Sequence, residues 1–363
     1  RKLFTFHLVR RPRGTAMSRY SEAHQAPTGP SDARPTALQI IQDEGLEGNM
    51  KDKVFLITGC SSGIGIETAR ALAATGARCF LAVRSLEKGQ TACSAFLEPD
   101  RVELLQCDTS SMSSVRAAAA AFLAKSSTLN VLVCNAGVMQ LPEREEVVGV
   151  VDSHGHPEKY FETQLATNYL GHFLLFHCLK DAMLRAAAET PGFRSRLVQV
   201  SSSAHYASEM AWDDLHLRAP GAYTPMKGYA QSKLAQIYHA NHVDRIYGAG
   251  SGGGDGRIHG LTVMPGGVLT AISSHLPEEA RKQWTDNEKL MAWTKSFEQG
   301  AATTAWAAVG KELEGVGGKY LEDCAVSSNA ESMPGFKGYA DFAFDVEKEE
   351  RLWQMTMQML KLE

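Results

Sequence analysis

From Lys51 onward, short apolar runs alternate with longer stretches in which apolar positions recur at helical spacing. Lys53–Ile57, with Val, Phe, Leu and Ile, suits a parallel strand covered on both faces. Arg78–Val83, Val102–Gln106, Val131–Cys134, Arg196–Val200 and His259–Met264 read as further strands. Helical patterns fall between them at Glu67–Thr75, Ser113–Lys125, Glu162–Ala188 and Gly228–Ile246. This alternation builds repeated βαβ units. The expected fold is α/β, a single doubly wound parallel sheet of about seven strands with helices on both faces. On such sheets ligands sit at the carboxyl ends of the strands.

The first of these strand ends carries LITGCSSGIG, Leu56–Gly65. Gly59 permits a tight turn, Gly63 lets backbone approach a phosphate, and Gly65 lets the following helix pack closely. Ser61, Ser62 and Ile64 complete a loop that aims free N–H groups and the positive end of a helix dipole at one point, which suits a pyrophosphate. The spacing is G-x-x-x-G-x-G, and no Lys-Ser or Lys-Thr pair follows the last glycine, which excludes a Walker loop. Arg84 ends the second strand where an acid would hold the ribose of NAD, and an arginine there accommodates the 2′-phosphate of NADP. Lys88, one helical turn on, adds a second charge. Asp108 and Thr109 after the third strand, and Asn135, Ala136 and Gly137 after the fourth, are small or polar, as a cofactor lying across the sheet requires.

Composition places the 363-residue chain, 44% hydrophobic and 21% charged, among ordinary globular proteins. A net charge of -4 gives no hint of nucleic acid. Seven cysteines without a C-x-x-C read as buried thiols in a reducing compartment. Before Glu22 there are six basic residues and no acid, followed by a Pro, Ser and Ala-rich run. An organelle transit peptide, hence mitochondrial location, is one reading. Without a sustained amphipathic stripe, residues 1–35 are expected to be a disordered tail, removable without loss of stability, on a cytoplasmic protein. No stretch approaches the ~20 apolar residues of a membrane span.

In GYAQSK, Tyr229 and Lys233 stand four apart in a helical pattern, which places both on one face. A phenol with an ordinary pKa of about 10 carries protons poorly at neutral pH unless a nearby cation stabilises phenolate. Alone, such a pair is usually a surface pair. His239 and His242, three apart on the same pattern, lack a third ligand, and no metal is expected.

Together these segments resemble the short-chain dehydrogenases/reductases. TGCSSGIG at Thr58–Gly65, CDTS at Cys107–Ser110, NAG at Asn135–Gly137, TNYLGHF at Thr167–Phe173, VSSSAH at Val200–His205, YAQSK at Tyr229–Lys233 and MPGGVLT at Met264–Thr270 follow in family order. TALQIIQDEGLEG before the first strand and GKYLEDC at Gly318–Cys324 look most like the branch of retinol dehydrogenases and the WW-domain oxidoreductase. The resemblance implies one NAD(P)-binding Rossmann-type domain over residues 36–363. It also implies a catalytic set of Asn168, Ser202, Tyr229 and Lys233. Tyr229 is then the acid/base, Ser202 holds the substrate oxygen, and Lys233 binds the nicotinamide ribose and lowers the tyrosine pKa. Asn168 anchors a relaying water. Pro265, Gly266, Val268 and Thr270 border the nicotinamide, Thr270 and the backbone near Val268 meeting its carboxamide.

Two stretches depart from the pattern: His154–Lys159 lengthens a connection, and Gly248–Gly256 inserts a glycine-rich loop. In this family the segments carrying Tyr206, Trp212 and Tyr223, and Leu276, Trp284, Leu290, Met291 and Trp293, overhang the nicotinamide. Their aromatic and apolar side chains imply a medium-sized apolar ketone, aldehyde or alcohol. The expected function is NADP(H)-dependent oxidoreduction, with NAD(H) second and a catalytically silent NADP(H)-binding scaffold the alternative. A homo-oligomer pairing the Asn168 and Tyr229 helices fits the family habit.

Overall fold

The computed structural model describes residues 19–152, 154–248, 254–270, 278–329 and 337–362. In chain order the strands are Val54–Thr58 (β1), Arg78–Val83 (β2), Val102–Gln106 (β3), Val131–Cys134 (β4), Glu146–Val151 (β5), Pro157–Glu162 (β6), Ser195–Val200 (β7), Ile258–Met264 (β8), Lys319–Glu322 (β9) and Ala325–Val326 (β10). The helices are Ala37–Asp43 (α1), Ile64–Ala74 (α2), Leu86–Cys93 (α3), Met112–Leu123 (α4), Thr163–Leu165 (α5), Gly171–Glu189 (α6), Pro225–Tyr247 (α7), Glu278–Thr285 (α8), Glu288–Trp293 (α9), Phe297–Gly300 (α10), Ala302–Val309 (α11) and Val346–Leu360 (α12).

Eight strands form one sheet in the order β10-β9-β8-β7-β4-β1-β2-β3. All neighbours are parallel except β10, which runs antiparallel on β9. The period of two along β1 explains its continuous apolar run. Phe55 and Ile57 point into a core layer with Leu72 of α2 and Trp306 of α11, while Leu56 points into the opposite layer with Phe173 of α6 and Leu234 of α7. Both faces are covered, so no position is free to be polar. Strand order reverses between β1 and β4, and the loops after these two strands open a crevice there. The long α7 starts where sequence dictates: the Thr224 hydroxyl accepts from the Lys227 N–H at 3.1 Å and Pro225 occupies the first turn.

Three features depart from the sequence reading. The helix read over Glu162–Ala188 is broken: α5 gives way to a wide π-type turn, Ala166–Leu170, before α6 begins. The connection lengthened by 154–159 forms the antiparallel β5–β6 hairpin, which stands apart from the main sheet. The expected disordered tail is corrected for residues 19–35, which are tied to the domain. Arg19 pairs with Glu44 at 3.0 Å, the Tyr20 hydroxyl donates to Asp43 at 2.9 Å, and His24 faces Asp323 at 3.2 Å. Those polar partners are distant in sequence, so composition does not reveal them. Residues 1–18, Leu276 and most of the glycine-rich insertion lie outside the described residues. Among the described residues no helix is long and apolar enough to cross a membrane.

Candidate active site

The glycine loop closes tightly on its neighbours. A Cβ on Gly59, whose φ is +77°, would stand 2.8 Å from the Ala136 Cα, and one on Gly65 would stand 2.1 Å from the Gly59 carbonyl oxygen. Neither position has room for a side chain, so α2 begins directly against the end of β1. The loop lines one end of a cavity of about 960 Å³. Gly59, Ser61, Ser62, Gly63, Ile64, Gly65, Arg84, Asp108, Thr109, Asn135, Ala136 and Gly137 all border it, as do Pro265, Gly266, Val268 and Thr270. Arg84 is exposed and lines the cavity, and its guanidinium has no hydrogen bond or ion pair among the described residues. Lys88 is exposed on α3 and is not among the lining residues.

Beyond the loop lie Ser202, Tyr229 and Lys233, all lining the same cavity. The Ser202 side chain lies beside the Tyr229 hydroxyl, and its oxygen accepts from the Ala204 N–H at 3.1 Å. Burial pushes the phenol up to about 12, and the Ser202 contact acts in the opposite sense. The Lys233 ammonium sits 5.6 Å from the centre of the Tyr229 ring. It donates to the Val200 carbonyl and to Gln236 Oε1, each at 2.9 Å. Burial pulls Lys233 down to about 7. In this arrangement the tyrosine's surroundings raise its pKa rather than lower it, because its ring and hydroxyl are dry and the cation faces two oxygens on the far side.

Asn168 sits in the π-type turn, buried and outside the cavity lining. Its side chain clamps the segment after β4: Oδ1 accepts from the Val138 N–H at 2.8 Å, and Nδ2 donates to the Val138 carbonyl at 3.0 Å and to Ser232 Oγ at 2.9 Å.

Two histidines that the sequence reading left without a role pin this constellation. His172 Nδ1 lies 2.8 Å from the Asn168 carbonyl, which can only accept, so Nδ1 carries the proton. Nε2 then accepts from the Thr58 hydroxyl at 2.9 Å, and the Thr58 oxygen accepts from the N–H groups of Asn135 and Ala136 at 2.9 and 3.0 Å. One chain thus joins Asn168 to the end of β1 and the start of the Asn-Ala-Gly turn. His205 repeats the device. Its Nδ1 donates to the Ser202 carbonyl at 2.7 Å and its Nε2 accepts from the Ala340 N–H at 3.1 Å. Burial holds both rings neutral, at about 4. Their signal was in the sequence: each follows its partner by three or four positions inside a quoted motif.

At the far end of the cavity stand Met139, Tyr206, Met226, Leu269, Trp284 and Trp293. Trp212, Tyr223, Leu290 and Met291 do not line it. Trp212 stacks on Tyr238, and the Tyr223 hydroxyl donates to the Leu141 carbonyl at 2.7 Å. Among the described residues, the charged ones lining the cavity are Arg84, Asp108 and Lys233, none of them in the Trp284 and Trp293 wall. His239, one of the histidine pair on α7, is engaged by Gln199 at 2.9 Å.

Such a crevice, glycine loop and tyrosine-lysine helix define a class, and comparison with known proteins gives it a family. The model for short chain dehydrogenases matches residues 53–212. Short-chain dehydrogenase/reductase prx1 of Penicillium roqueforti is 48% identical over 345 residues, covering 95% of this chain and 95% of that protein. Polyprenol dehydrogenase of Homo sapiens is 38% identical over 275 residues, 74% of this chain and 76% of its own. A crystal structure of a protein from Mycobacterium Paratuberculosis superposes with a TM-score of 0.58 at 28% identity, over 86% of this chain and 94% of that one. The 3-ketoacyl-(acyl-carrier-protein) reductase of Brucella melitensis complexed with NADH, at 19% identity and a TM-score of 0.55 over 74% of this chain and 96% of that one, shares the fold. The chain belongs to the short-chain dehydrogenase/reductase family of oxidoreductases, which bind a nicotinamide cofactor.

Proposed function

We propose that this protein is an NADP(H)-dependent oxidoreductase that interconverts a ketone or aldehyde and an alcohol on a medium-sized apolar substrate. The observation that carries the reading is one cavity that, among the described residues, holds a glycine-loop cradle and an unpaired Arg84 at one end, Ser202 and Tyr229 in the middle, and an uncharged aromatic and methionine wall beyond. The cradle suits a dinucleotide, because its glycines let β1 turn directly into the N-terminus of α2, where free N–H groups meet a pyrophosphate.

Gly59, Ser61, Ser62, Gly63 and the first turn of α2 would hold the pyrophosphate, Arg84 the 2′-phosphate, and Lys233 the nicotinamide ribose. When bound, the nicotinamide supplies or accepts the hydride. The chain's own residues move the proton. Ser202 holds the substrate oxygen, and Tyr229 gives its hydroxyl proton to that oxygen in reduction or takes it in oxidation. A phenol held near 12 favours its protonated form, which suits the donor role; phenolate formation calls for the Lys233 charge to turn toward it.

The test is NADPH oxidation in the presence of a panel of neutral apolar ketones and aldehydes, with Tyr229→Phe as control. Turnover in the wild type that the variant loses supports the reading. No turnover across the panel, with NADPH still bound, would favour a silent cofactor-binding role.

A further inference from the structure

The most deeply buried contact of the N-terminal segment is with the wall of the cavity. Arg34 is 3% exposed, and its hydrogen bonds all run to oxygen. Its Nε donates to Asp32 Oδ1 at 2.8 Å. Its terminal nitrogens donate to the carbonyls of Trp293 at 2.8 Å, Thr294 at 2.6 Å and Gly29 at 3.0 Å. Trp293 and Thr294 end α9, and the last carbonyls of a helix have no partner inside it. A guanidinium there satisfies several at once and complements the negative end of the helix. Gln299 fixes the approach, donating from Nε2 to the carbonyls of Asp32 and Arg34 at 3.1 and 3.0 Å and accepting from the Ser31 N–H at 2.9 Å.

Trp293 is what this clamp holds in place. Its ring lies so close to Gly267 that a Cβ there would come within 2.4 Å of Trp293 Cζ3 and 3.0 Å of Trp284 Cζ2. Trp284 Nε1 in turn donates to Thr294 Oγ1 at 2.9 Å, one residue beyond Trp293. Both indoles line the cavity. The next residue continues the tie: the Lys295 N–H donates to the Gly267 carbonyl at 2.7 Å, and its ammonium pairs with Asp323 at 2.8 Å. Asp323 also receives His24 of the N-terminal segment. The segment therefore reaches the same wall by two routes.

We propose that Arg34 is a specificity-determining residue: by clamping the end of α9 it fixes Trp293 and Trp284 as the outer wall of the substrate end, and so sets which apolar substrates fit. The nature of the substrate rests on the function proposed above; the clamp rests on the contacts just given. Among the described residues, the cavity-lining group to which Arg34 itself hydrogen-bonds is the Trp293 carbonyl, and through Thr294 it also holds Trp284, so it acts on the wall and leaves the nucleotide end alone.

Arg34→Met keeps the side-chain length and removes every donor. Arg34→Lys keeps the charge beside Asp32 but loses the fork, and it carries the same comparison if the methionine variant does not fold. The measurements are kinetics with one small and one bulky apolar ketone, the NADPH dissociation constant, and acrylamide quenching of tryptophan fluorescence. Arg34→Met should change the preference between the two ketones by about tenfold, with NADPH affinity within about twofold of wild type and quenching increased. Arg34→Lys should fall between. In a background with both Trp284→Ala and Trp293→Ala, Arg34→Met should change selectivity no further, because it acts through those two rings. Equal loss for both ketones and NADPH, or a full additive effect in that double background, would overturn the proposal. The quenching arm needs no turnover. If the wild type reduces no ketone, the functional reading fails, while quenching that rises in the Arg34 variants still supports the clamp and unchanged quenching overturns it.

Discussion

Acidification should destabilise this protein through His172 and His205, beginning above the range in which ordinary carboxylates are neutralised; His216, His239 and His242, also held below their ordinary pKa by burial, act in the same sense. The His172 and His205 rings are neutral in the fold and each Nε2 must accept a hydrogen bond, from Thr58 and from the Ala340 N–H. Burial holds each at about 4 against an ordinary 6.5. The sign follows from proton counting. Between those values the unfolded chain binds protons that the folded chain refuses, so stability is complete above about pH 6.5 and is lost as pH falls toward about 4. At 1.36 kcal/mol per pH unit each histidine withdraws a little over about 3 kcal/mol across that window, and the pair about 6 to 7 kcal/mol. That is comparable to the whole stability of a typical domain, about 5–15 kcal/mol. Glu162 and Glu322, which burial lifts above the usual carboxylate range, act in the opposite sense. The difference between variant and wild type is therefore the clean readout. Urea unfolding midpoints at a series of pH values would measure it. His172→Gln should be less stable at pH 8 but lose stability less steeply below about 6.5, by about 1.4 kcal/mol per pH unit. Parallel slopes would refute the neutral-histidine argument.

If Arg84 meets a 2′-phosphate, NADPH binds more tightly than NADH, and Arg84→Asp reverses or abolishes the preference in a titration; equal wild-type affinities would sink the assignment. Tyr229→Phe keeps ring packing and cofactor binding but cuts turnover about 100-fold or more. Lys233→Met weakens the cofactor as well, and the double variant is scarcely worse than either single one; additive losses in steady-state kinetics would mean that the two residues do not act together. Thr58→Val removes the acceptor of two part-buried N–H groups and the donor to the buried His172 ring, and should cost about 2 kcal/mol in thermal or urea unfolding.

Sequence reached the inner strands because a parallel strand covered on both faces must be apolar at consecutive positions, as Phe55, Leu56 and Ile57 are. It missed β9 and β10 for the complementary reason. Lys319–Glu322 offers only Tyr320 and Leu321 between charged ends, and Ala325–Val326 is a two-residue edge. The glycine loop and the tyrosine-lysine spacing were legible since each depends on residues near one another in the chain. The clamp was not, because Arg34 and the carbonyls it binds are 259 and 260 positions apart. A basic, proline-rich composition describes a solvated tail until a buried set of oxygens meets its arginine. Pocket aromatics were divided for a similar reason. Trp284 and Trp293 reach the cavity, whereas Trp212 lies against Tyr238 and under Arg351.

The orientation of the charge beside Tyr229 is decided behind the cavity. A lysine ammonium has donors only, so its bond to Gln236 Oε1 forces that amide to turn its Nε2 away. Gln236 Nε2 donates to Gln199 Oε1 at 3.0 Å, which forces Gln199 to present its own Nε2 to His239 Nδ1 at 2.9 Å. His239 must therefore carry its proton on Nε2, where it finds no hydrogen-bond partner among the described residues and is surrounded by the rings of Tyr169, Phe173 and Phe176. Burial drives His239 well below its ordinary pKa, so the ring stays neutral and keeps accepting at Nδ1. Every amide in the chain is thus consistent with a charged Lys233, whereas burial alone pulls that lysine down to about 7. The two amides oppose the burial by offering an oriented acceptor that water cannot supply at a 3% exposed side chain. Gln199 on β7 and Gln236 on α7, both buried, thus hold the Lys233 ammonium in place behind the cavity.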